Sequence, residues 1–139
     1  MPGLSPNSIA LNPKRGLMYW VDPFNGKIEM ASMDGSNIRT FYSQPGSAMT
    51  SIAVDHFMDG RVFWSDSKQN QIKSANHDGT GIQVVIDNGL HHPRSIDVHH
   101  DYLYWISAET GRVAKIDKFG RGINVTVQDV LQVVPNDIK

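Results

Sequence analysis

The chain has 139 residues, with 13 basic and 14 acidic side chains, a formal net charge of −1 and no cysteine. This length is that of one ordinary domain with a sizeable core. The balanced charge gives no reason to expect a nucleic acid or an anionic membrane surface as a partner. No apolar run approaches a transmembrane span, and the first residues lack the pattern of a signal peptide. The absence of cysteine excludes thiol catalysis, cysteine-bound metal and disulfide bonds.

Short apolar or aromatic runs alternate with turn signals from the first residues onward. The first run ends at Asn12-Pro13, the second ends at Pro23, and Asn25-Gly26 and Asp34-Gly35 mark tight turns. The same order of runs and turns then recurs twice. Strands at such short, regular spacing predict an all-β fold with strands at 8–11, 17–22, 27–33, 38–42, 51–54, 61–66, 71–77, 82–86, 95–98, 102–107, 112–118 and 123–127.

The second run of each group is the same aromatic segment. An aliphatic residue follows each tryptophan (Trp20, Trp64 and Trp105) after 8 positions, a glycine after 15 and an isoleucine after 18. The spacing after each tryptophan is constant, whereas the spacing before it varies. This pattern is typical of hairpins of fixed register that are joined by a loop of variable length. The period of about 42 residues predicts repeats at 6–47, 48–90 and 91–133. Residues 134–139 repeat the proline-to-isoleucine spacing that opens two of the repeats, and are expected to begin a further strand.

The faces of the aromatic strand favour one architecture. Side chains alternate across a strand, so Leu17, Tyr19 and Val21 share one face while Met18 and Trp20 share the other. Asp22 also lies on the second face, but both faces are largely apolar, which is unusual for a sheet with one face in water. A sheet packed between two others would show this pattern, and four-stranded sheets stacked radially form a β-propeller. A sandwich is the alternative, but it would not require the same register three times.

The three aromatic segments also resemble the YWTD signature of low-density lipoprotein receptor class B repeats. They read Tyr19-Trp20-Val21-Asp22, Phe63-Trp64-Ser65-Asp66 and Tyr104-Trp105-Ile106-Ser107, none with the motif's threonine. The resemblance implies a six-bladed propeller, flanked by epidermal-growth-factor-like modules in endocytic receptors and matrix proteins. Three repeats would be a partial propeller, a fragment of a longer extracellular chain whose remaining blades are partners. Its two end blades would each leave an apolar face uncovered.

The motif residues are predicted to be structural. The aromatic members are expected to pack between blades rather than to stack on sugars or bases. Asp22 and Asp66 recur at equivalent positions, so they are expected to satisfy neighbouring main chain or a basic group rather than act in catalysis. The turns are expected to be formed by Asp34, Gly35, Asp78, Gly79 and Gly120. Calcium binding would require more clustered oxygen atoms than these turns supply.

Histidine is the enriched functional residue type, with six in the chain. Four of them form two adjacent pairs, His91-His92 and His99-His100. Solvated loop residues are the simplest interpretation. A metal site is an alternative, although neighbouring strand residues point to opposite faces and no acidic cluster helps. Because receptors of the resembled family release ligand in acid, His92 and His99 are hypothesised to contribute to pH sensing.

No catalytic, cofactor or metal site is predicted, because the chain lacks a phosphate loop, a nucleophile elbow and paired metal ligands. The prediction is a non-enzymatic extracellular module that presents a rigid surface to protein ligands or to neighbouring modules. The sequon Asn124-Val125-Thr126 predicts N-glycosylation if the parent chain is secreted. One alternative is a structural spacer between modules. A second, less favoured, is a calcium-dependent propeller hydrolase.

Overall fold

The computed structural model describes residues 8–57, 59–87, 90, 92–107 and 111–119, and the main chain of 126–128. This part of the chain contains twelve β-strands and no helix. The strands are β1 (Ile9–Asn12), β2 (Leu17–Asp22), β3 (Lys27–Ser32), β4 (Arg39–Ser43), β5 (Met49–Asp55), β6 (Arg61–Asp66), β7 (Gln71–Ala75), β8 (Gln83–Ile86), β9 (Pro93–His99), β10 (Tyr102–Ser107), β11 (Val113–Asp117) and β12 (Thr126–Gln128).

The strands form three sheets of four, each in sequential order. We call β1–β4 blade 1, β5–β8 blade 2 and β9–β12 blade 3. Every strand pair within a blade is antiparallel. The all-β prediction is therefore confirmed, and the first eleven strands begin and end within two residues of their predicted bounds. Residues 120–125 and 129–139, which include Gly120, Asn124 and the predicted further strand, lie outside the described part.

The three tryptophans occupy one register. Each lies opposite an isoleucine of the first strand of its blade, in the pairs Trp20–Ile9, Trp64–Ile52 and Trp105–Ile96. Paired residues project to the same side of a sheet, so each blade has a tryptophan face. The opposite side is the tyrosine face, which carries Tyr19, Phe63 or Tyr104.

Adjacent blades pack face to face. The tyrosine face of blade 1, with Val21, Ile28 and Met30, joins the tryptophan face of blade 2 in one core cluster. A second cluster joins the tyrosine face of blade 2 to the tryptophan face of blade 3. The same hydrogen bond crosses both interfaces: the main-chain N–H of an isoleucine donates to a serine hydroxyl of the preceding blade, at 3.2 Å in both pairs, Ile52–Ser8 and Ile96–Ser51. At these two interfaces, the facing apolar sides of adjacent blades thus cover each other.

The two end faces differ from the expected uncovered apolar surfaces. On blade 1, Ile9 is 59% exposed, whereas the equivalent Ile52 is 5% exposed, but Trp20 on the same face is 4% exposed. On blade 3, the tyrosine face carries the charged residues Asp97 and Lys115 at positions beside Tyr104. The end face of blade 3 thus carries two charged side chains where the other blades have small or apolar residues, beside the apolar Ile106 and Val113 of the same face.

Candidate functional site

The motif tyrosine of blade 1 lies between two blades. Tyr19 is fully buried, and its hydroxyl donates a hydrogen bond to the main-chain oxygen of His77 in blade 2, at 2.8 Å. Burial raises the pKa of the Tyr19 hydroxyl to about 12, so the hydroxyl remains a donor even in moderately alkaline solution. Phe63 occupies the equivalent position in blade 2, fully buried but without a hydroxyl, and Tyr104 is half-buried on the open face of blade 3.

The motif tryptophans are also buried. Trp64 is 1% exposed and packs against Phe41 and Tyr42 of blade 1, with ring centroids 6.0 and 4.9 Å away. Trp105 is 2% exposed and packs against blade 2. A ring enclosed in this way offers no surface on which a sugar or a nucleobase could stack. A binding surface for a partner must therefore lie elsewhere on the blades.

The motif aspartate of blade 2 organises the turn that follows β6. Oδ1 of Asp66 accepts hydrogen bonds from the main-chain N–H groups of Lys68 and Gln69, at 3.0 and 3.1 Å. It also accepts one from Ala48 at 3.2 Å, which ties the turn to the connection from blade 1. Asp22 holds the equivalent turn of blade 1 through Asn25, whose main-chain N–H and side-chain amide both donate to it. Both carboxylates are buried and bind groups of the adjoining loops, so neither is exposed to a ligand.

We expect Asp66→Ala to lower the free energy of unfolding by about 2 kcal/mol, because three main-chain donors lose a charged acceptor. Asp66→Asn should recover part of the loss, since its amide oxygen can still accept. Urea unfolding monitored by tryptophan fluorescence measures both changes. Equal stability of the alanine variant and the unchanged chain would contradict this role.

The two Asp-Gly turns have matching hydrogen bonds. Oδ1 of Asp34 accepts from the N–H and hydroxyl of Ser36, and Oδ1 of Asp78 accepts likewise from Thr80. These bonds hold the pKa of both carboxyls below its ordinary value. The glycines that follow have φ of +90° and +91°, a conformation that a side chain would strain, at Gly35 and Gly79. The geometry agrees with turn formation.

The loops divide between two ends of the blades. One, the Phe24 end, carries the turns between second and third strands and the connections between blades. There Phe24 is 92% exposed. The other, the Phe57 end, carries the turns between first and second strands and between third and fourth strands. Its exposed apolar side chains are Met33, Ile38, Phe57, Ile82 and Phe119.

The structure does not bring the two singled-out histidines together. His92 precedes β9 at the Phe24 end, and its main-chain N–H donates to Asn70 at 3.3 Å. His99 ends β9 at the opposite end, about 20 Å away for a strand of this length. The His99 ring instead contacts His100, with centroids 4.1 Å apart, and His100 stacks on Phe57.

Sequence reasoning missed a buried ion pair. Nζ of Lys118 in blade 3 lies 2.8 Å from Oδ2 of Asp55 in blade 2, and the two side chains are 4% and 0% exposed. Neither residue belongs to a recognisable motif. One feature of the sequence pointed to polar contacts at this position. The first strand of each blade ends in a polar residue: Asn12, Asp55 or His99.

Within the described ranges, no three metal-ligating side chains cluster closely enough to hold an ion. No helix with the length and apolarity needed to cross a membrane occurs in that same part of the chain.

Comparison with known proteins gives a consistent picture. A family model described as low-density lipoprotein receptor repeat class B matches residues 16–56 and 60–100. Vitellogenin receptor Yl of Drosophila melanogaster is 35% identical over 129 residues, which are 89% of this chain and 6% of that receptor. The vitellogenin receptor of Solenopsis invicta is 33% identical over 115 residues, 82% of this chain and 6% of the receptor. The chain thus spans a small part of these relatives.

Solved structures share the blade architecture. A chain in the crystal structure of a nidogen/laminin complex superposes with a TM-score of 0.81 at 29% identity, covering 94% of this chain and 51% of that one. Virginiamycin B lyase from Staphylococcus aureus superposes with a TM-score of 0.72 at 20% identity, covering 92% of this chain and 42% of the lyase. At that identity the likeness to the lyase is one of fold alone.

Proposed function

Because the chain belongs to the low-density lipoprotein receptor class B repeat family, we propose that it is a non-enzymatic, protein-binding segment of the extracellular part of a receptor. Two relatives that match most of its length are vitellogenin receptors. The proposed ligand class is accordingly a vitellogenin-like yolk lipoprotein. Remaining blades and epidermal-growth-factor-like modules of the parent chain are the proposed neighbours, and glycosylation at Asn124 is proposed with them.

The observation that carries this proposal is Phe24. Its side chain is 92% exposed at the tip of the β2–β3 turn. The turn beneath it is rigid, because Asp22 binds Asn25 and the main-chain oxygen of Gly26 accepts from Gln44 at 2.8 Å. Gly26 has no room for a side chain, since a Cβ there would lie 2.6 Å from the Gln44 oxygen. An exposed aromatic ring on a fixed loop loses little conformational entropy on binding and is typical of an interface anchor.

Binding of purified vitellogenin to the immobilised chain at pH 7.4, measured by surface plasmon resonance, tests the proposal. We expect saturable binding that Phe24→Ala weakens about tenfold or more, as loss of a buried aromatic anchor does. Val84→Ala is the matched control, because Val84 is 50% exposed on the outer strand β8, away from both ends. No saturable binding to the unchanged chain would instead favour the structural spacer.

The second part of the proposal is that the chain releases its lipoprotein ligand at acidic pH. His92 lies at the same end of the blades as the proposed anchor, beside the β6–β7 turn, whereas His99 lies at the opposite end. The same experiment at pH 5.5 should show faster dissociation from the unchanged chain and slower dissociation from His92→Ala than from His99→Ala. If both variants release the lipoprotein as fast as the unchanged chain, the histidine hypothesis is wrong.

A further inference from the structure

Four exposed side chains form a surface at the Phe57 end, between blades 2 and 3. Phe57 follows β5 and is 67% exposed, and Phe119 follows β11 and is 42% exposed. His100 and Asp101 form the exposed turn between β9 and β10. The rings of Phe57 and His100 are stacked, with centroids 4.9 Å apart and planes 28° from parallel. We call Phe57, His100, Asp101 and Phe119 the Phe57 platform.

The buried ion pair between Asp55 and Lys118 lies next to the platform, and both of its residues bind main chain near the platform residues. Oδ1 of Asp55 accepts a hydrogen bond from the main-chain N–H of Phe57 at 2.9 Å, while Oδ2 faces Lys118. The main-chain N–H of Lys118 donates to the main-chain oxygen of Asp101 at 3.0 Å. Phe119 is adjacent in sequence, and its ring centroid lies 5.6 Å from Nζ of Lys118. The Asp55–Lys118 ion pair thus crosses the blade boundary and links the main chain at Phe57 to the main chain at Asp101.

The platform presents negative charge. The ammonium group of Lys118 is neutralised by Asp55 and buried, so it contributes no cation to the surface. The carboxylate of Asp101 is exposed and has no hydrogen-bond or ion-pair partner in the part of the chain that the structure describes. A cation at this surface would be attracted by two groups. The exposed carboxylate attracts it through its charge, and the neighbouring aromatic rings attract it through their electron-rich faces.

We propose that the Phe57 platform is a second protein-binding site, which receives an arginine side chain of a partner protein. The guanidinium plane stacks on Phe57 and its N–H groups reach the Asp101 carboxylate. Arginine fits better than lysine, because its planar head can stack and donate paired hydrogen bonds at once. This site lies at the opposite end of the blades from Phe24 and does not depend on the function proposed above.

The test is an NMR titration of the full chain with N-acetyl-arginine-N-methylamide, which follows the imidazole resonances of His100 and the ring resonances of Phe57. The expected result is a saturable shift in the millimolar range, consistent with one cation–π contact and one exposed ion pair. The glutamate analogue should give no shift. The norleucine analogue, an apolar side chain of similar length, should bind at least threefold more weakly.

Three variants locate the site. Phe57→Ala should abolish the saturable shift of His100, Asp101→Asn should weaken binding about threefold or more, and Phe24→Ala should leave it unchanged. Phe57 and Asp101 are exposed, so the urea midpoint of both variants should match that of the unchanged chain. Absence of a saturable shift overturns the proposal. Equal binding of the norleucine analogue would identify an apolar occupant instead, and shifts that depend on chain concentration alone would identify a second copy.

Discussion

Replacing Lys118 with methionine is expected to lower the free energy of unfolding by about 3–5 kcal/mol, because the fully buried carboxylate of Asp55 loses its counter-ion. The side chain removed is about as long as the one that replaces it, so little volume is lost. The penalty is therefore that of an unpaired charge in a site closed to water. Urea unfolding at pH 7, monitored by tryptophan fluorescence, measures it.

The double variant Asp55→Leu with Lys118→Met is the control that separates charge from packing. It should recover most of the lost stability, because replacing a whole buried ion pair by apolar residues is often neutral. Arg15→Ala removes another interblade ion pair, Arg15–Asp59, whose side chains are 37% and 69% exposed, and should leave the midpoint nearly unchanged. A Lys118→Met variant as stable as the unchanged chain would show that Asp55 finds another partner or takes up a proton.

The strands and their register could be predicted from the sequence, because both depend on local chemistry. The alternation of apolar residues predicted each strand, and turn residues such as Asp34-Gly35 predicted where it ends. Such a turn is local, because Asp34 accepts a hydrogen bond from the N–H of Ser36, two residues away. The order of the strands followed from the repeat, since a fixed spacing after each tryptophan requires the same hairpins each time.

The contacts between blades could not be predicted residue by residue. Asp55 and Lys118 lie in different repeats, and the pair does not recur along the chain. Met33 and His77 occupy the position of Lys118 in the other repeats, and Asn12 occupies the position of Asp55 in blade 1. The doubled histidines were recognised as unusual from the sequence alone. Their environments were not, because the stacking of His100 on Phe57 depends on how two blades meet.

Trp64→Ala tests the physical premise of the whole fold, that the blades are stabilised by packing against one another. Trp64 fills the interface between blades 1 and 2 and lies edge-on to Phe41, with the two ring planes at 86°. Truncation leaves a cavity bounded by two sheets, and each sheet is held by its own hydrogen bonds and cannot collapse into the space. The expected loss of unfolding free energy is about 3–5 kcal/mol.

The form of the transition is as informative as its midpoint. Because Trp64 links two blades, its loss should shift a single cooperative transition to lower urea concentration, with far-ultraviolet circular dichroism and the fluorescence of the two remaining tryptophans in step. Phe24→Ala removes another large ring, but one that is 92% exposed, and should change stability by no more than about 0.5 kcal/mol. If Trp64→Ala cost no more than Phe24→Ala, or if the two signals separated into different transitions, the blades would be independent units and the shared cores between them would contribute little to the stability of the chain.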